Sequence, residues 1–413
     1  MYRPWKSWGI CLAFGSGLGF LLTLSGCVGP IALHQAVLEY DQTTAQIQSE
    51  MLLLNIARAK NIEPLHFTTV SSVAATFNFE TSVGIAPAGS ATTDLVAPIF
   101  QTTVAENPTI MIIPVQGEEF AQRILSPIQE EKLAHLAGQG ITPGLLARLF
   151  AEELILLEDG QARTLHNDPV YKKEYTEFRR RALHITSLLK RKNLYRRSLY
   201  FEDTRPLLIP LELSEQNALQ SQEQILRIEE RGYALKQDPD KRVHALTKRV
   251  TGQTVFINYP LDDLTDEGRR RLMLEFGDLP DNTIFVDIRP GFPGGDYPLH
   301  GYFLLRSFQE VLQFVALINS TAPEFDVEPD PRTGPVEVNP TMVLVIEETV
   351  DEPTNATFKV KHGGFWYWLR KPDANPGKEA IWNLQAFRAL TQLYELTKVD
   401  VSKKRVPAIT IAK

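Results

Sequence analysis

Apolar and polar positions alternate cleanly from Val73 to Ile85: Val73, Ala75, Phe77, Phe79, Val83 and Ile85 fall on one face, Thr76, Asn78, Glu80 and Ser82 on the other. A period of two over that length predicts one long strand. A soft GIAPAGSATTD region follows as a turn, and then PIFQTTVAENPTIMIIPV, an extended stretch interrupted by Pro98 and Pro108. The pair predicts a β-hairpin over residues 66–115 whose second strand is an edge strand. Residues 31–60, before it, carry Leu33, Val37, Tyr40, Thr44, Ile47 and Leu54 at three- and four-residue spacing until Pro64 stops the pattern, which predicts a helix.

Residues 117–158 read as mainly helical, divided at GQGITPG, where Thr142 suits an N-cap and Pro143 the first helical position. The basic segment YKKEYTEFRRRALHITSLLKRKNLYRR reads as a helix, continued by a polar helix near SEQNALQSQEQILRIEERGYALK. From about Gly252 the pattern turns to short strands and helices: QTVFINY, TDEGRRRLMLEF, NTIFVDI, GYFLLR and SFQEVLQFVALI, the last opened by a capping box of Ser307 and Glu310. An acidic, proline-rich connector over 321–340 leads to three strands, MVLVIEE, TFKVKH and FWYWLR, with His362, Gly363 and Gly364 turning the last two. A helix at EAIWNLQAFRALTQLYEL and a final strand AITIA follow, and no internal repeat is visible. The class expected is α+β and multidomain: an N-terminal helix and long β-hairpin, a central helical region, and a C-terminal mixed strand and helix domain.

With 43% apolar and 23% charged residues the chain has ordinary globular composition and enough for a sizeable core. The first segment changes the picture. Arg3 and Lys6 precede the uncharged GICLAFGSGLGFLLTLSG, a secretion-signal pattern that is short and glycine-rich for a retained span. It ends on Leu24, Ser25, Gly26 and Cys27, which resemble the lipobox of bacterial lipoproteins. That resemblance implies a diacylated Cys27 thiol, removal of the leader, and an anchor to which each buried CH₂ adds roughly 0.8 kcal/mol. In that class an Asp after the cysteine favours inner-membrane retention; Val28 stands here, so the implied address is the periplasmic face of the outer membrane. Cys11 leaves with the leader and Cys27 carries lipid, which excludes disulfide and thiolate chemistry in the mature chain. The formal charge of −7 becomes more negative without Arg3 and Lys6, so general polyanion binding is excluded as well.

The stretches LLLNIARAKNIEPLHFTTVSSV, NPTIMIIPVQGEEFAQRILSPI, LRSFQEVLQFVALI and VKHGGFWYWLRK, in that order, resemble a family of uncharacterised proteobacterial predicted lipoproteins. The family supports the address and brings no catalytic residue or cofactor. Where it carries an acidic stretch after the aromatic strand, this chain has RKPDAN. The domain boundaries expected are 1–26 for the signal peptide, 27–62 for the anchor and membrane-proximal helix, 63–160 for the hairpin plus helices, 161–245 for the basic and polar helical region, and 246–413 for the α+β domain.

Candidate chemistry is sparse. The eight histidines show no ligand spacing for zinc, and no G-x-S-x-G signature is present. The loop RPGFPGGDYPLHG lacks the Lys and Ser/Thr of a phosphate loop, so Asp296 and His300 read as loop polar residues. Arg179, Arg180, Arg181, Lys190, Arg191 and Lys192 are candidates to face anionic lipid, against the plainer reading of a solvated helix on the body. Trp366 and Trp368 are candidates for an aromatic binding surface, against the plainer reading that all four aromatics of FWYW fill a core. No metal, no cofactor beyond the lipid and no nucleic acid are expected; the partners expected are the membrane and an envelope protein. The function expected is a non-enzymatic scaffold or accessory subunit of an envelope assembly, with the hairpin packed in the periplasmic body; the alternatives are an oligomeric pore or export component using the 66–115 hairpin in the membrane, and an envelope hydrolase without a recognisable motif.

Overall fold

The computed structural model describes residues 28–87, 96–115, 117–158, 160–210, 226–227, 230, 232–238, 243–276 and 279–397. These divide into two compact units, 28–55 with 65–115 in one and 56–64 with 117–397 in the other. The class is α+β, as expected.

In the first unit, helix α1 (Val28–Lys60) leads to strands β1 (Phe67–Pro87) and β2 (Val96–Val115). The helix and the hairpin stand where the periodicity places them. The two strands pair antiparallel along their whole length, with one irregularity between Val70 and Ser72. Among the described residues neither strand pairs with a third.

The second unit is built on a seven-stranded sheet. Helices α2 (Glu118–Leu125), α3 (Glu130–Gly138) and α4 (Pro143–Phe150) precede strands β3 (Ala151–Glu158) and β4 (Gln161–His166). Helix α5 (Lys172–Lys190) then gives way to β5 (Tyr195–Pro210), β6 (Ala234–Asp238) and β7 (Val243–Ile257). Helix α6 (Asp266–Phe276), strands β8 (Thr283–Ile288) and β9 (Leu299–Leu305), and helix α7 (Phe308–Ile318) complete it. The strand order is β4-β3-β9-β8-β7-β5, with β6 on the other side of β7 from β5. Only β7 and β8 run parallel. Helices α3, α4 and α5 cover the sheet face that carries Phe256, Ile284, Val286 and Phe303, while Leu272 of α6 packs with Leu199, Val255, Ile257 and Phe285.

Of the region expected to be helical over 161–245, α5 and residues 226, 227 and 230 are helical, whereas 161–166, 195–210, 234–238 and 243–245 are strand; the rest of the polar helix expected near SEQNALQSQEQILRIEERGYALK falls largely outside the described residues. Lys192, in the left-handed region at φ 57°, ends α5 without a glycine to announce it. The leucine- and glutamate-rich AEELILLE is also strand, because Leu154 and Leu156 are buried between β4 and β9. Thr142 and Pro143 do open α4, but the Thr142 hydroxyl makes no capping bond. Ser307 and Glu310 form the full capping box.

A three-stranded sheet, β10 (Glu347–Thr349), β12 (Phe365–Arg370) and β11 (Ala356–His362) in that order, precedes helix α8 (Lys378–Thr397). Gly363 and Gly364, at φ 56° and 91°, turn β11 into β12, a left-handed pair that side chains resist. Asn61 donates to the Tyr367 hydroxyl at 3.3 Å, and His362 Nε2 lies 3.0 Å from Glu63, so the residues after α1 are fastened to this sheet. The final AITIA lies outside the described residues.

Candidate functional site

The 321–340 segment is a strap seated in the body. Glu324, with a fully buried side chain, accepts from Arg148 of α4 at 3.0 Å and from the Tyr175 hydroxyl of α5, and lies 3.5 Å from Arg179 of α5. Arg148 also donates to the Pro340 and Thr341 carbonyls, and Arg179 to Asn339 and Thr341. Burial pushes the Arg148 pKa down, opposed by the Glu324 charge, and burial drives the Tyr175 hydroxyl well above its ordinary value.

Burial removes Arg179 and Arg181 from the lipid-facing reading of the basic helix. Arg179 is wholly buried, and Arg181, 8% exposed, donates to the Pro298 carbonyl with its guanidinium 3.8 Å from the Tyr297 ring. Arg180 is half-buried and pairs with Glu177 at 2.9 Å. Arg191 and Lys192 are exposed beyond the helix end, and the side chain of Lys190 lies outside the described set. The three consecutive arginines therefore point to three environments rather than to one surface.

The aromatic strand is corrected in part. Trp368 is buried, as are Tyr367 and Leu369, which removes it from any binding surface. Trp366 is half-buried with the Lys359 and Lys361 ammonium groups 5.7 and 5.8 Å from its ring, and Phe365 is exposed.

His300 stands on β9 rather than in the loop before it. Its Nδ1 is 3.1 Å from Asp287 and its Nε2 is 3.1 Å from Glu275, while Asp287 also accepts from Tyr259 and from Arg289 at 2.8 Å. Burial pushes the Asp287 carboxyl up, but bonds from His300 and Tyr259 outweigh it and hold the group below its ordinary value; the bond to Asp287 raises His300. Asp296 is exposed. No group of three metal-ligating side chains occurs among the described residues. The body holds an apolar cavity of about 50 Å³ between sheet and helices, and a polar cleft of about 540 Å³ beside Glu152, His166 and Arg306.

The hairpin is the most distinctive element. Asn55 of α1 clamps the chain on its return, donating to the His66 carbonyl at 2.9 Å and accepting from the His66 N–H at 2.8 Å, and the Thr68 hydroxyl lies 3.2 Å from Met51 Sδ. As the strand advances from residue 66 to 68, its helix partner retreats from 55 to 51. Strand β1 therefore sets out toward the N-terminal end of α1.

Register resolves the irregular second strand. Directly opposed residues share a face, and the pairs Val73–Ile110, Phe79–Val104, Val83–Phe100 and Ile85–Pro98 put apolar positions of both strands on one side. Thr76–Asn107, Glu80–Thr103 and Ser82–Gln101 occupy the other. Glu106, opposite Phe77, is the single charged position of the apolar face from Val73 to Pro87. Pro98, Pro108 and Pro114 stand at even spacing on β2 and so withhold their N–H from one and the same edge, the outer one.

No helix among the described residues is long and apolar enough to cross a membrane. Cys27, Leu24, Ser25 and Gly26 lie outside the described residues, next to the first residue of α1. No family model, curated protein or solved structure matches the chain.

Proposed function

We propose that the protein is a lipid-anchored subunit of an oligomeric outer-membrane pore or export assembly, and that the tip-proximal half of the hairpin crosses the bilayer. The observation that carries this reading is the two-faced ribbon itself. Strands in globular proteins usually run 3–10 residues, and a lone two-stranded sheet is marginal in water. Here the strands have 21 and 20 residues and no third partner among the described residues. Closure of several copies into a barrel pairs both free edges except at the prolines of β2 and gives each face its own solvent.

Lengths support the same reading. From Met51 back to Val28, α1 covers about 35 Å at ~1.5 Å per residue. A strand leaving Thr68 on the same course covers that distance in about ten residues, near Asn78, at ~3.4 Å each. Ten residues of each strand, 78–87 and 96–105, then extend past the level of Val28, the first residue of α1. That matches the roughly 9–11 residues of a transmembrane strand. Within them the apolar face carries no charged position, and Glu106 stands one pair before it begins. No Lys or Arg occurs from residue 61 to 122, although protected soluble edges favour lysine.

At roughly eight strands for the smallest barrel, two per copy call for at least four copies. The full chain extracted in mild detergent is expected to migrate unheated as such an oligomer and as a monomer after heating. A variant with 78–105 replaced by a two-residue Asn-Gly turn is expected to stay membrane-bound but monomeric. A wild-type monomer by light scattering would instead support the scaffold.

A further inference from the structure

We propose that the assembled hairpins enclose a water-filled path that prefers inorganic cations, with the preference set at a single position, Glu80; this rests on the membrane-spanning reading above. The juxtaposition is one of register. In the ten-residue segment beyond Phe77, the two strands offer five paired positions on the polar face: Asn78–Ala105, Glu80–Thr103, Ser82–Gln101, Gly84–Ile99 and Ala86–Ala97. Glu80 is the one ionisable position among them, and its opposite is a threonine, so no cation of the ribbon faces it across the pair. The other acidic position of the strands, Glu106, belongs to the opposite face.

Closure by rotation places the same residue of every copy at the same height. One Glu80 per copy therefore becomes a ring of carboxylates, at one level, in a wall that is otherwise uncharged. Rings of Asp or Glu of this kind concentrate cations and turn back anions by Coulomb attraction and repulsion in a narrow, weakly screened space. The absence of Lys and Arg from residues 61–122 leaves nothing on either strand to cancel that field. Anionic solutes are thus the class this path excludes.

The test uses the detergent-extracted, full-length oligomer in planar bilayers with a tenfold KCl gradient, reading the zero-current voltage. Wild type is expected to favour K⁺ over Cl⁻ severalfold, Glu80→Gln to lose the preference, and Glu80→Lys to favour Cl⁻. Glu106→Gln, on the other face, is expected to match wild type. Equal permeability in wild type, or a preference unchanged by Glu80→Lys, overturns the inference while leaving a pore. An absence of conductance from a heat-labile oligomer overturns it while leaving the assembly. A monomer without conductance removes both readings together.

Discussion

Two arginines and a glutamate from three parts of the chain share a site that excludes water. Arg148 and Arg179 are 2% or less exposed, and Glu324 is their only carboxylate within 4 Å among the described pairs. Glu324→Gln leaves two guanidinium groups buried without a counter-charge, a loss expected to cost about 3–5 kcal/mol. Glu352→Gln, which breaks the exposed pair with Lys359, is expected to stay within about 0.5 kcal/mol. Urea midpoints for the two variants check the contrast, and equal midpoints contradict it. Histidines add a dependence on pH. His300 is raised above 6.5, chiefly by its bond to Asp287, so its contribution to stability is complete below about pH 6.5 and is lost as pH rises through the raised value. His184 is pushed down to about 4 by burial, so its contribution is complete above about pH 6.5 and is lost as pH falls toward 4. The urea midpoint is expected to decline on the alkaline side in wild type and less so in His300→Gln. A parallel decline in both would show that His300 is not its source.

At the scale of elements, legibility followed the range of the interactions that decide each one. The Ser307 capping box and the Gly363–Gly364 turn are chemistry confined to four residues or fewer, and both stand where the residues place them. Strand β1 is equally legible, because it carries one period over a long stretch, whereas α1 stands where expected although Val37 and Ile47 of its expected apolar face are exposed. AEELILLE and ALKQD are composed of good helix formers, yet both are strands, since pairing with β9 and β7 overrides propensity. The fate of the basic helix was illegible for the same reason. Arg179 is buried only because Glu324 and Asn339, about 150 residues on, complete its hydrogen bonds. Strand β2 alternates poorly when read alone, and its two faces emerge only when each residue is assigned its partner on β1.

Across the whole molecule, a mixed-sheet body and a helix-plus-hairpin unit divide the work. The body contains its charges by internal pairing, as at Glu324 and Asp287. The hairpin instead leaves two strand edges without a strand partner among the described residues. Its sequence also makes the decisive measurement simple, since Cys11 and Cys27 are the only cysteines. In the lipid-anchored form proposed above, where Cys27 would be acylated and Cys11 removed, single cysteines at 82, 83, 100 and 101 can each carry a fluorophore in the protein reconstituted into bilayers. Fluorophores at 83 and 100 are expected to be quenched by spin-labelled lipid and shielded from aqueous iodide, and those at 82 and 101 to show the reverse. Iodide quenching all four positions alike, with no effect of the lipid quencher, would contradict a hairpin that crosses the membrane.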